Sequence, residues 1–274
     1  MIDRACRLIC LSAIWIPLGV LFILLFQVVL QGSERIGLDF ITSFPSRKPE
    51  LAGIYPALVG SCMLISLSAL VAVPIGVGAA IYLEEYASKT AWTRFVEINL
   101  SNLAGVPSVI YGLLGLEIFV RIFGLGYSLL AGALTLALLM LPIILTASRE
   151  AIKTVPKHYQ EASLALGSSK FVTILQIVIP LALPGILTGS ILATSRAIGE
   201  TAPLIVIGAA TYIAFIPDGL DSEFTALPIQ IFNWISRPQK AFSNDAAAGI
   251  IVLLIILFSL SAIAIFLRNR YEHR

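Results

Sequence analysis

Charge is scarce in this chain: only 12% of its 274 residues are Asp, Glu, Lys or Arg, and 18 basic against 16 acidic side chains leave a net charge of +2. So weak a balance, with no basic run and no stacking-aromatic pattern, excludes a nucleic-acid surface. Histidine is limited to His158 and His273, and the three cysteines, Cys6, Cys10 and Cys62, have no metal-ligand spacing. A metal site, a disulfide framework and a Ser/His/Asp set are therefore not expected. No GxxxxGK[ST] phosphate loop occurs, and the run 167–170 is too short to be one, so ATP hydrolysis by that route is excluded. HExxH is absent as well, and no cofactor is implied.

What fills the chain instead is apolar: 58% hydrophobic residues and a mean hydropathy of +0.95 exceed the usual range of a soluble domain and indicate an all-α integral membrane protein. A helix needs about 20 residues to cross a hydrocarbon core of about 30 Å. Six stretches qualify, 8–30, 55–83, 98–120, 128–148, 174–208 and 246–267, predicting six transmembrane helices. The second and fifth are overlong. Pro56, Pro74, Gly76 and Gly78 in one, and Pro180, Pro184, Gly185 and Gly189 in the other, predict kinks or parts outside the core. The run after Arg4 and Arg7 is too long for a signal peptide and lacks a cleavage site, so it is expected to stay as an anchor. The chain then divides into an N-terminal anchor with an outer loop (1–53), a five-span body (54–267) and a tail (268–274).

With the N-terminus inside, the inner connections carry 11 Lys and Arg and the outer ones 6, with Arg196 left within a span. That excess predicts cytoplasmic N- and C-termini, and puts the connection after the fourth span on the same side. In it, Thr154 can cap a short helix, Pro156 suits its first turn, and Gly167 can stop it in the left-handed conformation. Ala162, Ser163 and Ala165 are small enough for close approach to another surface. In the outer loop 212–245, the amphipathic piece 227–236 with Trp234 suggests either a re-entrant helix or one resting in the lipid headgroups.

Arg196 and Glu200 stand one turn apart in the fifth stretch, and at 100° per residue they share a sector of about 60° with Gly185, Gly189 and Pro203. A charge at mid-bilayer costs on the order of 3 kcal/mol on insertion scales. The pair is expected to face a watered cavity, to form a structural ion pair, or to meet a partner subunit. A guanidinium matches the oxygens of a phosphate-like anion, and an arriving oxyanion would compete with Glu200 for its donors. Glu117 and Arg121, also four apart, are explained by snorkelling near the outer end of the third stretch, with a transport role as the alternative reading.

The order Glu161, Ala162, Ser163, Gly167, Ile177, Ile179, Pro180 resembles the E-A-A, three residues, G, nine residues, I-x-L-P loop of bacterial ABC-importer permeases, with Ser163 for Ala and Ile179 for Leu as departures. The resemblance implies a type I ABC importer permease fold. In it, Tyr159, Glu161, Ala162, Ser163, Leu166 and Gly167 form a cytoplasmic coupling helix that docks on an ATPase subunit. The run Arg196, Ala197, Ile198, Gly199, Glu200, Thr201, Ala202, Pro203 is similar to the R-x-x-G-E-T-A-P signature of A-type permeases of phosphate-specific importers. LEEY at 83–86, NLAGVPSVIYGLLG at 102–115 and LPIQIFNWISRP at 227–238 extend the likeness. It implies inward phosphate transport in a bacterial or archaeal cytoplasmic membrane along a path including Arg196, Glu200, Gly189 and Thr201. Implied partners are a second, C-type permease, two ATPase subunits and a periplasmic or lipid-anchored phosphate-binding protein. Many relatives carry R-T-T-E where this chain has Thr146, Ala147, Ser148, Arg149 and Glu150, which leaves the role of Arg149 open. A permease for phosphonate, sulfate or molybdate, and a stand-alone transporter or channel, are the alternative readings.

Overall fold

Apolar helices in lipid satisfy their own backbone, so the architecture is set by where that pattern is interrupted. The computed structural model describes residues 2–88, 90–209 and 212–272; Lys89 and Arg274, counted among the inner cations, and His273 lie outside the described residues. In chain order the helices are α1 (Ile2–Gly32), α2 (Leu38–Thr42), α3 (Tyr55–Ile81), α4 (Ala91–Leu103), α5 (Ser108–Gly115), α6 (Leu129–Lys153), α7 (Lys157–Ala165), α8 (Lys170–Thr173), α9 (Ile179–Ile198), α10 (Ala202–Val206), α11 (Leu227–Ile235) and α12 (Ala241–Glu272). Wide π-helical turns follow α3 (Tyr82–Tyr86), extend α5 (Leu116–Ile122) and join α8 to α9 (Ile174–Val178). Among the described residues no strand occurs.

Five uninterrupted helices are long and apolar enough to span, Cys10–Gly32, Tyr55–Tyr86, Leu129–Lys153, Lys170–Ile198 and Ala241–Phe266. The expected third span, 98–120, is broken. α4 stops at Leu103, a turn follows, and α5 restarts behind Pro107. Pro107 has no N–H to donate and disfavours helical backbone at Val106, so the helix is weakened at this point; here it breaks, whereas α3 and α6 continue through Pro74 and Pro142.

The fifth stretch is interrupted too. α9 closes at Ile198 with Gly199 as its cap, and α10 begins at Ala202 with Pro203 in its first turn. Gly208, at φ +82°, ends α10 in the left-handed region that glycine adopts without a Cβ clash. The sector extrapolated from Gly185 to Pro203 therefore does not exist as one face: Pro203 belongs to a separate helix. Thr154 also departs from expectation. It closes α6, its hydroxyl donating to the Ala151 carbonyl at 2.7 Å, while Pro156 is the residue that precedes α7.

The core forms around α6. In its apolar stretch 67% of residues are buried, against none in the apolar stretch of α1, which leans along α12. Small residues make this possible, because without a hydrophobic drive between helices in lipid, association depends on close van der Waals approach. Gly189 on α9 lies so near Ala147 on α6 that an added Cβ would come within 2.2 Å of the Ala147 Cβ. Four hydroxyls in these helices are satisfied locally: Ser68 donates to Leu64, Thr135 to Ala131, Ser190 to Ile186 and Thr194 to Ser190, each four residues back.

The end of the bundle that holds α2 and α11 is closed by a second cluster. Phe40, Ile54, Leu227, Trp234, Phe242 and Ala246 are all nearly fully buried there. The α11 segment is thus packed inside protein. Trp234, 1% exposed, sits 5.8 Å from the Phe40 ring and is not a headgroup anchor. Arg35 ties the layer together, with Nε 2.7 Å from the buried Asp245 carboxylate and Nη2 donating to the carbonyls of Pro49, Glu50 and Ala52.

Candidate functional site

The two broken spans meet. α5 packs along α10, and an added Cβ on Gly112 would lie 2.7 Å from the Pro203 Cα, so the two short helices touch backbone to backbone. Tyr111 on α5 bridges the break behind it, its hydroxyl donating to the Leu103 carbonyl at 2.8 Å. Non-helical backbone at membrane depth persists only where protein buries it or where it lines a polar cavity. Glu200 and Thr201 lie in one such break, and Arg196 is in the last turn of α9 just before it.

Arg196 Nε approaches Glu200 Oε1 to 3.5 Å, the outer limit of a hydrogen bond. Its side chain is 52% exposed, whereas that of Glu200 is 16% exposed. Three arginines make the point by contrast. Arg35 is held by one carboxylate and three carbonyls, and Arg149 by two carboxylates at 2.5 and 2.6 Å. Among the described residues, Arg196 has Glu200 alone. A guanidinium has five N–H donors in a fixed fork, so most of those on Arg196 remain open for a planar or tetrahedral oxyanion. Thr201, in the same break as Glu200, is half-buried. Gly189 is elsewhere: it is buried in the seam with Ala147, two turns before Arg196, where it sets the distance between α6 and α9.

The second candidate surface is α7 and the turn after it. Gly167 has φ +90°, the left-handed conformation expected of a glycine that ends a helix. Tyr159, Glu161, Ala162, Leu166 and Gly167 are exposed, Leu166 to 88%, while Ser163 faces inward. The Ser163 and Thr173 hydroxyls are 2.9 Å apart, so the serine that departs from the alanine of the loop pattern locks α7 onto α8. The continuous stretch Lys170–Ile198 then carries this connection to Arg196.

Sequence reasoning missed an ionic cluster at the ends of α3 and α6 next to α7. Arg149 on α6 bonds Glu84 in the turn after α3 and Glu97 on α4, and Lys153 bonds Glu150 at 2.8 Å. The neighbouring Glu85 receives Gln160 from α7 at 3.2 Å, and its carbonyl receives Lys170, whose ammonium also lies 5.0 Å over the Tyr86 ring. Adjacent carboxylates directly after one apolar span, with basic residues directly after another, were the available signal. Glu117 and Arg121 pair at 2.9 Å with both side chains more than half exposed.

Residues 72–274 match the family described as the binding-protein-dependent transport system inner membrane component. The chain is 31% identical over 249 residues to the probable ABC transporter permease protein YqgI of Bacillus subtilis, covering 86% of this chain and 85% of that one. It is 32% identical to the phosphate transport system permease protein PstA of Haemophilus influenzae, covering 96% and 92%, and 34% identical to PstA 1 of Mycobacterium tuberculosis (strain H37Rv), covering 79% and 70%. In fold it resembles a chain of a bacterial alginate ABC transporter crystallised with a periplasmic protein carrying an alginate pentasaccharide, at a TM-score of 0.69 and 15% identity over 98% of this chain and 96% of that one. A chain of the inward-facing MetNI methionine ABC transporter matches at a TM-score of 0.65 and 16% identity, covering 80% and 97%.

Proposed function

The chain belongs to the family of inner membrane components of binding-protein-dependent transport systems, and we propose that it is the permease subunit that passes inorganic phosphate inward across a bacterial or archaeal cytoplasmic membrane. The observation that carries the phosphate reading is the unsaturated guanidinium of Arg196 at the break in the fifth span, one turn from Glu200. Relatives named as phosphate transport permeases, alignable over most of the chain, support it.

The protein supplies the path and not the hydrolysis. Its partners are two ATPase subunits bound at the exposed face of α7, a second permease of the C-type, and an external phosphate-binding protein. Both termini face the cytoplasm, residues 1–53 serve as anchor and outer loop, 54–267 form the translocating body and 268–274 the tail. Closure of the ATPases displaces α7, the continuous helix after it moves Arg196, and an oxyanion competes with Glu200 for the guanidinium as the path opens alternately to each side.

Phosphate uptake by the complex reconstituted in vesicles tests this reading. Arg196→Gln keeps the side chain polar but removes charge and fork, so uptake should fall by at least 100-fold while the subunits still co-purify. Uptake within threefold of wild type would exclude Arg196 from the path.

A further inference from the structure

The inner ionic cluster has a use beyond stability. Glu84 and Glu85 are neighbours in the π-helical turn Tyr82–Tyr86, and successive residues of a helical turn point in different directions. One of the two therefore faces α6 and α4, and the other faces α7 and α8. Glu84 holds Arg149, 13% exposed, at the inner end of α6, and Arg149 holds Glu97 of α4. Glu85 takes Gln160 from α7 through its carboxylate and Lys170 from α8 through its carbonyl. Among the described residues, α6, α7 and α8 are thus bonded directly to one five-residue segment, and α4 through Arg149, in the wide-turn geometry that concentrates at functional sites.

We infer that the Glu84–Glu85 pair is a strut carrying displacement of the α7 helix to the inner ends of α3, α4 and α6, with Arg149 as its positioning residue. This rests on the proposed docking of an ATPase at α7. That helix already reaches Arg196 along the stretch Lys170–Ile198. The strut makes α6 move with it, and Ala147, two residues from Arg149, is the surface against which Gly189 of α9 rests. Arg149 and Lys153 also border a cleft of about 410 Å3 with Glu97, Asn102, Thr146 and Glu150, which leaves open volume beside the guanidinium. An anion-release site is the weaker use of the same residues. Three carboxylates, Glu84, Glu97 and Glu150, outnumber the two cations and repel an anion.

The experiment measures phosphate uptake and ATP hydrolysis together in vesicles holding the complete complex. Arg149→Glu and Glu84→Arg, each alone, should leave the ATPase subunits bound and hydrolysing but lower the phosphate moved per ATP at least tenfold. The reciprocal double variant should return that ratio to within threefold of wild type. A purely structural role lowers uptake and hydrolysis in proportion and leaves the ratio alone. Should the reversed charges prevent assembly, Arg149→Lys and Glu84→Gln are expected to lower the ratio about threefold. An unchanged ratio in the single variants, or a double variant no better than either single, overturns the strut. Failure of the wild-type complex to take up phosphate defeats the functional reading instead, which separates the two.

Discussion

The two ends of this molecule, called outer (around Trp234) and inner (around α7) after the proposed orientation, are both stitched by arginine, carboxylate and aromatic side chains, yet they present different surfaces. At the outer end the contacts close upon themselves: Trp234 and Phe40 are each 1% exposed, and Arg35 spends its donors on one carboxylate and three carbonyls of the same chain. At the inner end Tyr159 and Leu166 stand out from α7, and only Ser163 of that helix's motif is turned inward. A side chain that is fully satisfied within its own chain stabilises the fold. One left exposed at the end of a rigid helix is available to another subunit. The same distinction separates Arg35 and Arg149 from Arg196.

The strongest way to break this comparison is at Trp234. Trp234→Ala empties a fully enclosed site and should cost about 3–5 kcal/mol, lowering thermal stability and membrane accumulation together. A normal melting temperature would mean that the outer cluster is not a core. Next in size is the seam joining the two ends. Gly189→Val forces a Cβ into Ala147 and should cost about 1–3 kcal/mol by overpacking, with Ala147→Gly in the same chain recovering part of the loss. No recovery would deny the direct contact.

Leu166→Ala sharpens the contrast, since removing an exposed side chain should change stability by no more than about 0.5 kcal/mol. Association with the ATPase subunits should weaken about tenfold, as judged by co-purification at limiting subunit concentration. Unaltered association would remove Leu166 from the docking face.

The smallest effect belongs to the outer loop, where the Ser222 hydroxyl donates to Asp218 at 2.6 Å and holds its carboxyl below the usual carboxylate range. A depressed folded-state pKa contributes stability above the unfolded value, and that contribution is lost as pH falls through the folded one. The same loop accepts the Leu129 and Leu130 amides through Ser222 and Leu220. Their hydrogen exchange, corrected for intrinsic rates, should accelerate in that acid range, and Asp218→Asn should flatten the change.

Much of this was legible before any coordinates. The α7 motif could be read because capping and helix termination are local: the Gly167 turn depends on neighbours within a few residues. The spans were legible because bilayer thickness imposes a length on any apolar helix. The break near 104–107 was not anticipated, although Gly105 and Pro107 are written there, because hydropathy averages across a turn that remains apolar. Arg196 and Glu200 were identified as a pair, but their surroundings were not, since the shared helix face ended at Ile198.

By itself the sequence determined the class, the number of apolar stretches and the Gly167 helix end, because composition, helix length and local caps need no distant contact. Only the tertiary structure decided that Gly189 packs in a seam against Ala147, that most of α11 is buried, and that Arg149 bonds Glu84 across 65 residues of chain. Those facts depend on which surfaces of separate helices come within a few ångströms. Such meetings are set by close packing of small side chains around α6, and no periodicity along one helix specifies them.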